Sequence, residues 1–252
     1  MLDLQKASIL KRISAYILDF ILLVICVTGF AFLFSAIFNY DEYSEIIDKR
    51  KEEISQTYNV DFNISEEERL KFTDEEKAKF DLAVEAFEND VEANKAWNTL
   101  INLIFFIISF SILFSHIVTE FIVPLIFGNG QTIGKKVFAL GVMRSHHVKL
   151  KTTELFIRAI LGKCTMEAMF PIFLIVMISL GALGFVGVIV LFLFIVLQLC
   201  LIIFTKNNCL IHDILSDTVV VDMSSQMIFD SDEALLEYQK EIHLQNVSKS
   251  PY

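Results

Sequence analysis

The sequence predicts an all-α integral membrane protein of about four transmembrane helices, with a helical extracytoplasmic insertion and a small cytoplasmic β-element. Three observations point there. Of the residues, 54% are hydrophobic and 24 are Phe, and the mean hydropathy is +0.57. The apolar residues gather into runs long enough to cross a bilayer, which takes about 20 residues. The charges are sorted too: residues 39–98 hold 18 acids against 8 bases, residues 128–167 hold 7 Lys/Arg against 2 Glu, and residues 205–252 hold 3 Lys against 8 acids.

The first span covers roughly residues 12–38. It reads as a transmembrane helix rather than a cleaved signal peptide, because its apolar run is too long for an h-region, contains Asp19 and lacks an obvious small-x-small site before Asn39. Residues 39–98 read as an acidic helical insertion. Ser65-Glu-Glu-Glu68 and Thr73-Asp-Glu-Glu76 both match the reciprocal capping pattern that starts a helix. Phe80, Val84, Phe87 and Val91 then recur at helical spacing. That helix is expected to continue through Trp97, an interfacial anchor, into span two at about 99–127.

After a loop at 128–167, residues 168–204 run for 37 residues without a charge. One helix of that length would reach roughly 55 Å, against a hydrocarbon core of about 30 Å. The cluster Gly181, Gly184 and Gly187 therefore predicts a hairpin of two spans, 168–183 and 185–205. Within the loop, "KKVFALGVMR" and "HVKLK" read as short strands, and "DTVVVD" at 217–222 as a third. Between them "TTELFIRAILGKCTMEAMF" reads as a helix lying at the interface before span three. The membrane domain then occupies 1–222, and 223–252 is an acidic tail whose "SDEALLEYQKEIHLQ" reads as an exposed helix.

Orientation follows from Lys and Arg in short loops and near span ends. Lys6, Lys11, Arg12 and the 128–167 loop belong in the cytoplasm, as do both termini after four spans. Residues 39–98 then lie outside, where they cannot serve as a nucleic-acid surface. Cys26, Cys164, Cys200 and Cys209 form no disulfide framework and read as small apolar filler.

The stretch "FGNGQTIGKKVF" at 127–138 has the look of a phosphate loop, but Asn129 stands where the first glycine belongs and Lys136 where the hydroxyl belongs. It also follows an apolar run far too long for a strand. His212-Asp213 suggests a metal phosphohydrolase only superficially, since that chemistry needs further ligands on neighbouring helices. The His146-His147 pair reads as a solvated turn. No nucleophile or zinc motif is present in the sequence, and neither an enzyme nor a cofactor is expected.

Ionisable residues inside spans are more informative, because each costs about 2.5–3.5 kcal/mol or more at the bilayer centre. Arg12 and Asp19 lie two turns apart on one helical face, with Tyr16 between them. Asn102, Ser109, His116 and Glu120 share one face of span two. Asn102 and Ser109 read as interhelical glue, worth roughly 0.6 kcal/mol each. Asp19, His116 and Glu120 fit glue and an ion or proton path equally well. Both acids fall roughly 9 Å from the span centres on the cytoplasmic side, so Asp19 is expected to meet His116 and Glu120, with Arg12 able to neutralise either acid. The plainer alternative pairs Glu120 with Lys135 at the interface.

As an ordered set these residues resemble the RDD family of bacterial membrane proteins, named for one arginine and two aspartates. Arg12 and Asp19 in "KRISAYILDFILL" match its first helix; Thr132, Gly134, Lys135 and Lys136 match its T-x-G-K-K loop. Arg158 in "ELFIRAI" matches an arginine that opens the next helix, and His212 and Asp213 in "IHDILSDTVVV" match its closing motif. The resemblance covers about residues 5 to 222. It departs at Asp217, where the family tends to have glycine for a tight turn, and in the long 39–98 insertion.

The resemblance implies a multi-pass protein of the bacterial cell membrane, with transport or ion/proton exchange through an intramembrane carboxylate. The competing reading is an accessory or scaffold protein that docks partners. Four spans are few for a complete transporter, so a homo-oligomer or a partner membrane protein is expected. Besides the bilayer itself, Lys135, Lys136 and Arg158 are expected to bind anionic headgroups, at about 1 kcal/mol per cation, or the carboxylates of Asp213 and Asp217.

Overall fold

The computed structural model describes residues 4–249. It is a helical membrane protein in which four helices are long and apolar enough to cross a bilayer: α1 (Ile9–Ile37), α5 (Val91–Phe127), α7 (Thr152–Ser179) and α8 (Gly184–Phe204). Between them lie α2 (Tyr40–Tyr58), α3 (Glu66–Arg69), α4 (Asp74–Glu88) and α6 (Ile133–Val137). The strands are β1 (Leu140–Arg144) and β2 (Thr218–Asp222), with α9 (Ile211–Leu215) before β2 and α10 (Asp232–Lys249) after it. The chain divides into two compact units, one made of residues 28–111 and the other of 1–27 with 112–252.

The 28–111 unit contains the acidic insertion. Both expected capping boxes form, Ser65 with Glu68 and Thr73 with Glu76, which satisfies N–H groups that helix starts otherwise leave bare. Phe62 meets both Phe80 and Phe87, and Phe72 stands edge-on to Phe80. These rings form a small apolar centre under a charged exterior. Arg50 ties α2 to Asp90, which also accepts from the Ala93 N–H at 2.7 Å and so caps the start of α5. The helix through Phe80 therefore does not run on into span two as expected: it ends at Glu88, and a new helix starts at Val91 and continues past Trp97.

In the other unit β1 and β2 pair antiparallel, with Val142 opposite Val220 and Met143 opposite Val219. Both faces of this ribbon are covered. Leu140, Val142 and Val220 pack with Ala7 and Ala15, while Met143, Val219 and Val221 pack with Leu4, Cys209 and Ile228. Burial on both sides explains the unbroken Val219-Val220-Val221 run. "HVKLK" does not become a full strand and contributes single bridges, Met143 to Lys149 and Val148 to Phe229. The Lys-Lys end of "KKVFALGVMR" is helical, in α6. Asp217 adopts the left-handed conformation, φ 49°, so the turn favoured by glycine is made here by aspartate.

The expected interfacial helix and span three are one continuous helix, α7. Its Ile157–Met169 section is π-helical and carries Arg158, Lys163 and Glu167. The hairpin follows at residues 180–183, with Gly181 at φ 72° and Gly184 at φ 49°. Gly187 is not part of the turn; a Cβ there would stand 2.6 Å from Ile178 Cγ1, so its role is close packing of α7 on α8.

A partly buried ion pair fastens the sheet to the start of α1. Lys11 Nζ lies 2.6 Å from Asp222 Oδ2, and Ser224 donates to Asp222 through its Oγ at 2.6 Å and its N–H at 3.0 Å. The Lys11 bond, then the Ser224 bonds, hold the Asp222 carboxyl down at about 2. A depressed carboxyl favours the folded state above its unfolded pKa, and that contribution disappears as pH falls through about 2. Acid unfolding between roughly pH 4 and 2 should therefore be shallower for Asp222→Asn than for the natural protein. Superimposable acid profiles by circular dichroism would show that this pair does not fasten the sheet.

Candidate functional site

The family-signature residues converge within the unit formed by 1–27 and 112–252. Asp19, on α1, receives two short hydrogen bonds from the loop at α6. Thr132 Oγ1 donates to Oδ2 at 2.5 Å and the Gly134 N–H donates to Oδ1 at 2.7 Å. Thr132 also caps α6 by accepting from the Lys135 N–H at 3.3 Å. The T-x-G-K-K sequence thus has a local reason: a hydroxyl that both caps and donates, and a glycine whose bare N–H can approach a carboxylate.

Lys135 points inward and is only 8% exposed. Its Nζ has the Thr132 hydroxyl at 3.4 Å, and among the described residues it forms no ion pair. It stands within electrostatic reach of Asp19 and Glu120, and of the cations Lys163 and Arg158. Burial above all, then Lys163 and Arg158, lowers its pKa to about 7 against the pull of Glu120 and Asp19. Lys136, in contrast, turns out over the Phe127 ring at 3.8 Å.

Glu120 sits in the π-helical Ile117–Ile122 section of α5 and pairs with Lys163 at 2.5 Å. One turn along α7, Glu167 accepts from the His212 N–H at 3.1 Å and meets His212 Nδ1 at 2.8 Å. His212 is almost wholly buried, and burial lowers its pKa despite the neighbouring Asp213 and Glu167. The neutral imidazole with hydrogen on Nδ1 suits this carboxylate. Gly162 makes the approach possible, since a Cβ there would meet His212 Cβ at 2.4 Å.

Asp213 ends the chain of charges. Its side chain is fully shielded; it bonds Arg158 and accepts from the Leu210 N–H at 3.0 Å, and Arg12 Nη2 lies at 3.5 Å. Burial acts to raise its pKa, but Arg158, His212 and the Leu210 N–H outweigh it and hold the carboxyl well below the usual range. Arg12 is anchored as well by the Asn208 carbonyl at 2.7 Å. Four cations (Arg12, Lys135, Arg158, Lys163) and four carboxylates (Asp19, Glu120, Glu167, Asp213) are thus packed into one low-dielectric region. Such a balance is the condition under which buried charge is tolerated.

Two sequence expectations need correcting. Asp19 does not hydrogen-bond His116 or Glu120: His116 Nδ1 lies 2.9 Å from the Ile112 carbonyl, Glu120 takes Lys163, and Asp19 takes the α6 loop. Lys135 stands within electrostatic reach of both acids. Of the three cations expected at headgroups or at Asp213 and Asp217, Lys135 and Arg158 are buried away from headgroups; Arg158 pairs with Asp213 as the second expectation had it, whereas Asp217 accepts from Ser145 Oγ at 2.7 Å. Asn102 is exposed and donates to its own helix, to the Asn98 carbonyl. Lys163 and Glu167 escaped the sequence reading, although their i, i+4 spacing in a segment leading into apolar residues was a usable signal.

A cavity of about 600 Å³ opens beside these charges, lined on one wall by Arg12, Tyr16 and Asp19 of α1 and on others by residues of α7 and α8. No curated protein and no solved structure matches the sequence. A profile of the RDD family matches residues 6–217, which takes in every one of the signature positions just described. The chain belongs to the RDD family.

Proposed function

We propose that this membrane protein carries out ion or proton exchange, and that the buried charges from Asp19 to Asp213 are its working site. The observation that carries the reading is Lys135: a buried amine within electrostatic reach of two carboxylates, whose one side-chain hydrogen bond among the described residues is to the Thr132 hydroxyl. A proton there is held loosely enough to be lost near neutral pH, and Asp19 and Glu120 are the neighbouring groups through which it would pass, with His116 within electrostatic reach of Glu120. Because its folded pKa lies below the unfolded value of a lysine, stability should rise with pH across about 7 to 10.5.

Purified protein in liposomes carrying an internal pH dye should therefore dissipate an imposed pH gradient, most steeply changing around pH 7. Lys135→Gln and Asp19→Asn should each lower this flux by about 1.4 kcal/mol or more, a factor of at least ten, while the exposed Lys136→Gln retains it. Absence of flux in the natural protein, or full flux in Lys135→Gln, would defeat the reading.

The Lys/Arg distribution supports a bacterial cell membrane orientation with both termini and the 128–167 loop in the cytoplasm and 39–98 outside. In a cysteine-free background Ser55→Cys should label in intact cells with an impermeant maleimide, and Ser145→Cys should not; the reverse would overturn this topology. The second reading, an accessory protein that docks partners, is favoured by the aromatic centre and capped helices of the 28–111 unit. If it holds, the protein should show no flux of its own, and deleting 40–88 should abolish co-purification of a membrane partner. Oligomerisation, expected for so few spans, is read from the mass of the same purified particle.

A further inference from the structure

The cavity beside the charges is two-faced along its length. On α7 its lining passes from Arg158, Lys163 and Glu167 to Pro171 and Ile175. The antiparallel α8 reads the other way, from Ile202 beside the charges back to Leu191. Leu191, Phe194 with Ile195, Leu199 and Ile202 fall on one face of α8, a single apolar stripe roughly 16 Å long. The α7 wall therefore changes from charged to apolar along its length, while the α8 wall facing it is apolar except for Gln198, so the cavity has a charged end and an apolar end, as a lipid does. The volume, about 600 Å³, falls within the roughly 300–1,000 Å³ of small-molecule sites.

The charged end favours an anion. Arg12, Lys135, Arg158 and Lys163 line the cavity against only two acids, Asp19 and Glu167, because Glu120 and Asp213 stand behind the lining. One further polar group has no partner: Gln198 Oε1 is buried without a donor, on the cavity wall one turn from Ile202. It calls for a hydroxyl beside the anionic group.

We infer that the cavity binds a single-chain anionic amphiphile, a phosphate monoester with an adjacent hydroxyl of the lysophosphatidic acid type, with its head at the four cations and its chain along the α8 stripe. The inference rests on the site assigned above, not on its flux. Lys135 counts among the four cations only while it carries its proton, so a bound anion should hold that proton in place and bind less well once it is lost. The groups facing Lys135 that would sense this are Asp19 from α1, Glu120 from α5, and Arg158 and Lys163 from α7.

The test uses the full chain in phosphatidylcholine nanodiscs with spin-labelled lysophosphatidic acid as probe. Lysophosphatidylcholine and palmitate serve as competitors. One probe should bind per chain, at least tenfold more tightly than lysophosphatidylcholine, with palmitate between them, and binding should weaken as pH rises. Ile195→Trp, which fills the apolar stripe, should lose at least tenfold in affinity; Leu191→Trp tests the same stripe should the first variant fail to fold. Equal affinity for the two lysolipids, or undiminished binding in a folded stripe variant, would overturn the inference. Binding without proton flux would leave it standing and remove the exchange reading. Flux without binding would do the opposite.

Discussion

Asp213→Asn should be the most damaging conservative change in this chain, lowering stability by about 3–5 kcal/mol. Its carboxylate has no solvent exposure, and it answers two guanidinium groups, Arg158 at 4% side-chain exposure and Arg12 at 16%. Asparagine keeps the shape and an acceptor but removes the charge, so two cations remain in a region water cannot reach. Removing one partner of a buried pair is worse than never having had the pair, because the desolvated partner stays behind. The sign of the pH effect agrees: the Asp213 carboxyl is held below its ordinary range when folded, so its contribution is present above the unfolded pKa and fades as acid titrates the folded form.

Thermal melting and detergent-titrated unfolding measure the loss. Arg158→Met combined with Asp213→Asn should recover part of it, since the double change removes an unpaired cation. Asp217→Asn, at a side chain 71% exposed, should stay within about 0.5 kcal/mol. A natural-like melt for Asp213→Asn would mean that the backbone carbonyls of Asn207 and Asn208 satisfy Arg12 without the carboxylate.

Gly134→Ala should be nearly as harmful, and more telling for function. A Cβ at this position would stand 2.3 Å from the Ala15 carbonyl oxygen and 2.8 Å from Asp19 Cγ. Neither neighbour is the loose end of a flexible side chain: one is helix backbone, the other a carboxylate held at both oxygens. Either α6 retreats from α1 or Asp19 rotates away, and both outcomes break the Gly134 N–H bond to Oδ1. Overpacking costs about 1–3 kcal/mol, and a hydrogen bond to a charged group adds about 1.5–3. Gly29→Ala, with no heavy atom within 4 Å of the added methyl, is the control and should change stability by no more than about 1 kcal/mol. Proton flux should fall with Gly134→Ala even in protein that still folds, because Asp19 no longer has its fixed position. Equal behaviour of the two alanine variants would show that the loop does not clamp Asp19.

The sequence by itself determined what depends on neighbours in the chain. Length and hydropathy of apolar runs set the four spans, Ser65/Glu68 and Thr73/Glu76 set two helix starts, and the glycines near 181 set the hairpin, because hydration, capping and φ preference act over one to four residues. The ordered set of Arg12, Asp19, Thr132-x-Gly134-Lys135, Arg158 and Asp213 was legible for the same reason. Partner choice was not. Asp19 and Thr132 are 113 residues apart, and Glu120 and Lys163 are 43 apart. A face of span two that carries His116 and Glu120 says nothing of the rotation and depth at which its neighbours meet it. Those are set by packing: the π-helical turns that carry Glu120, Lys163 and Glu167, and the bare Cα atoms of Gly134 and Gly162 that admit Asp19 and His212. Lys135 shows the difference most clearly. Its charge beside a membrane places it at the headgroups on sequence grounds, yet the tertiary structure turns it inward, where Glu120 and Asp19 offset only part of the desolvation of an ammonium.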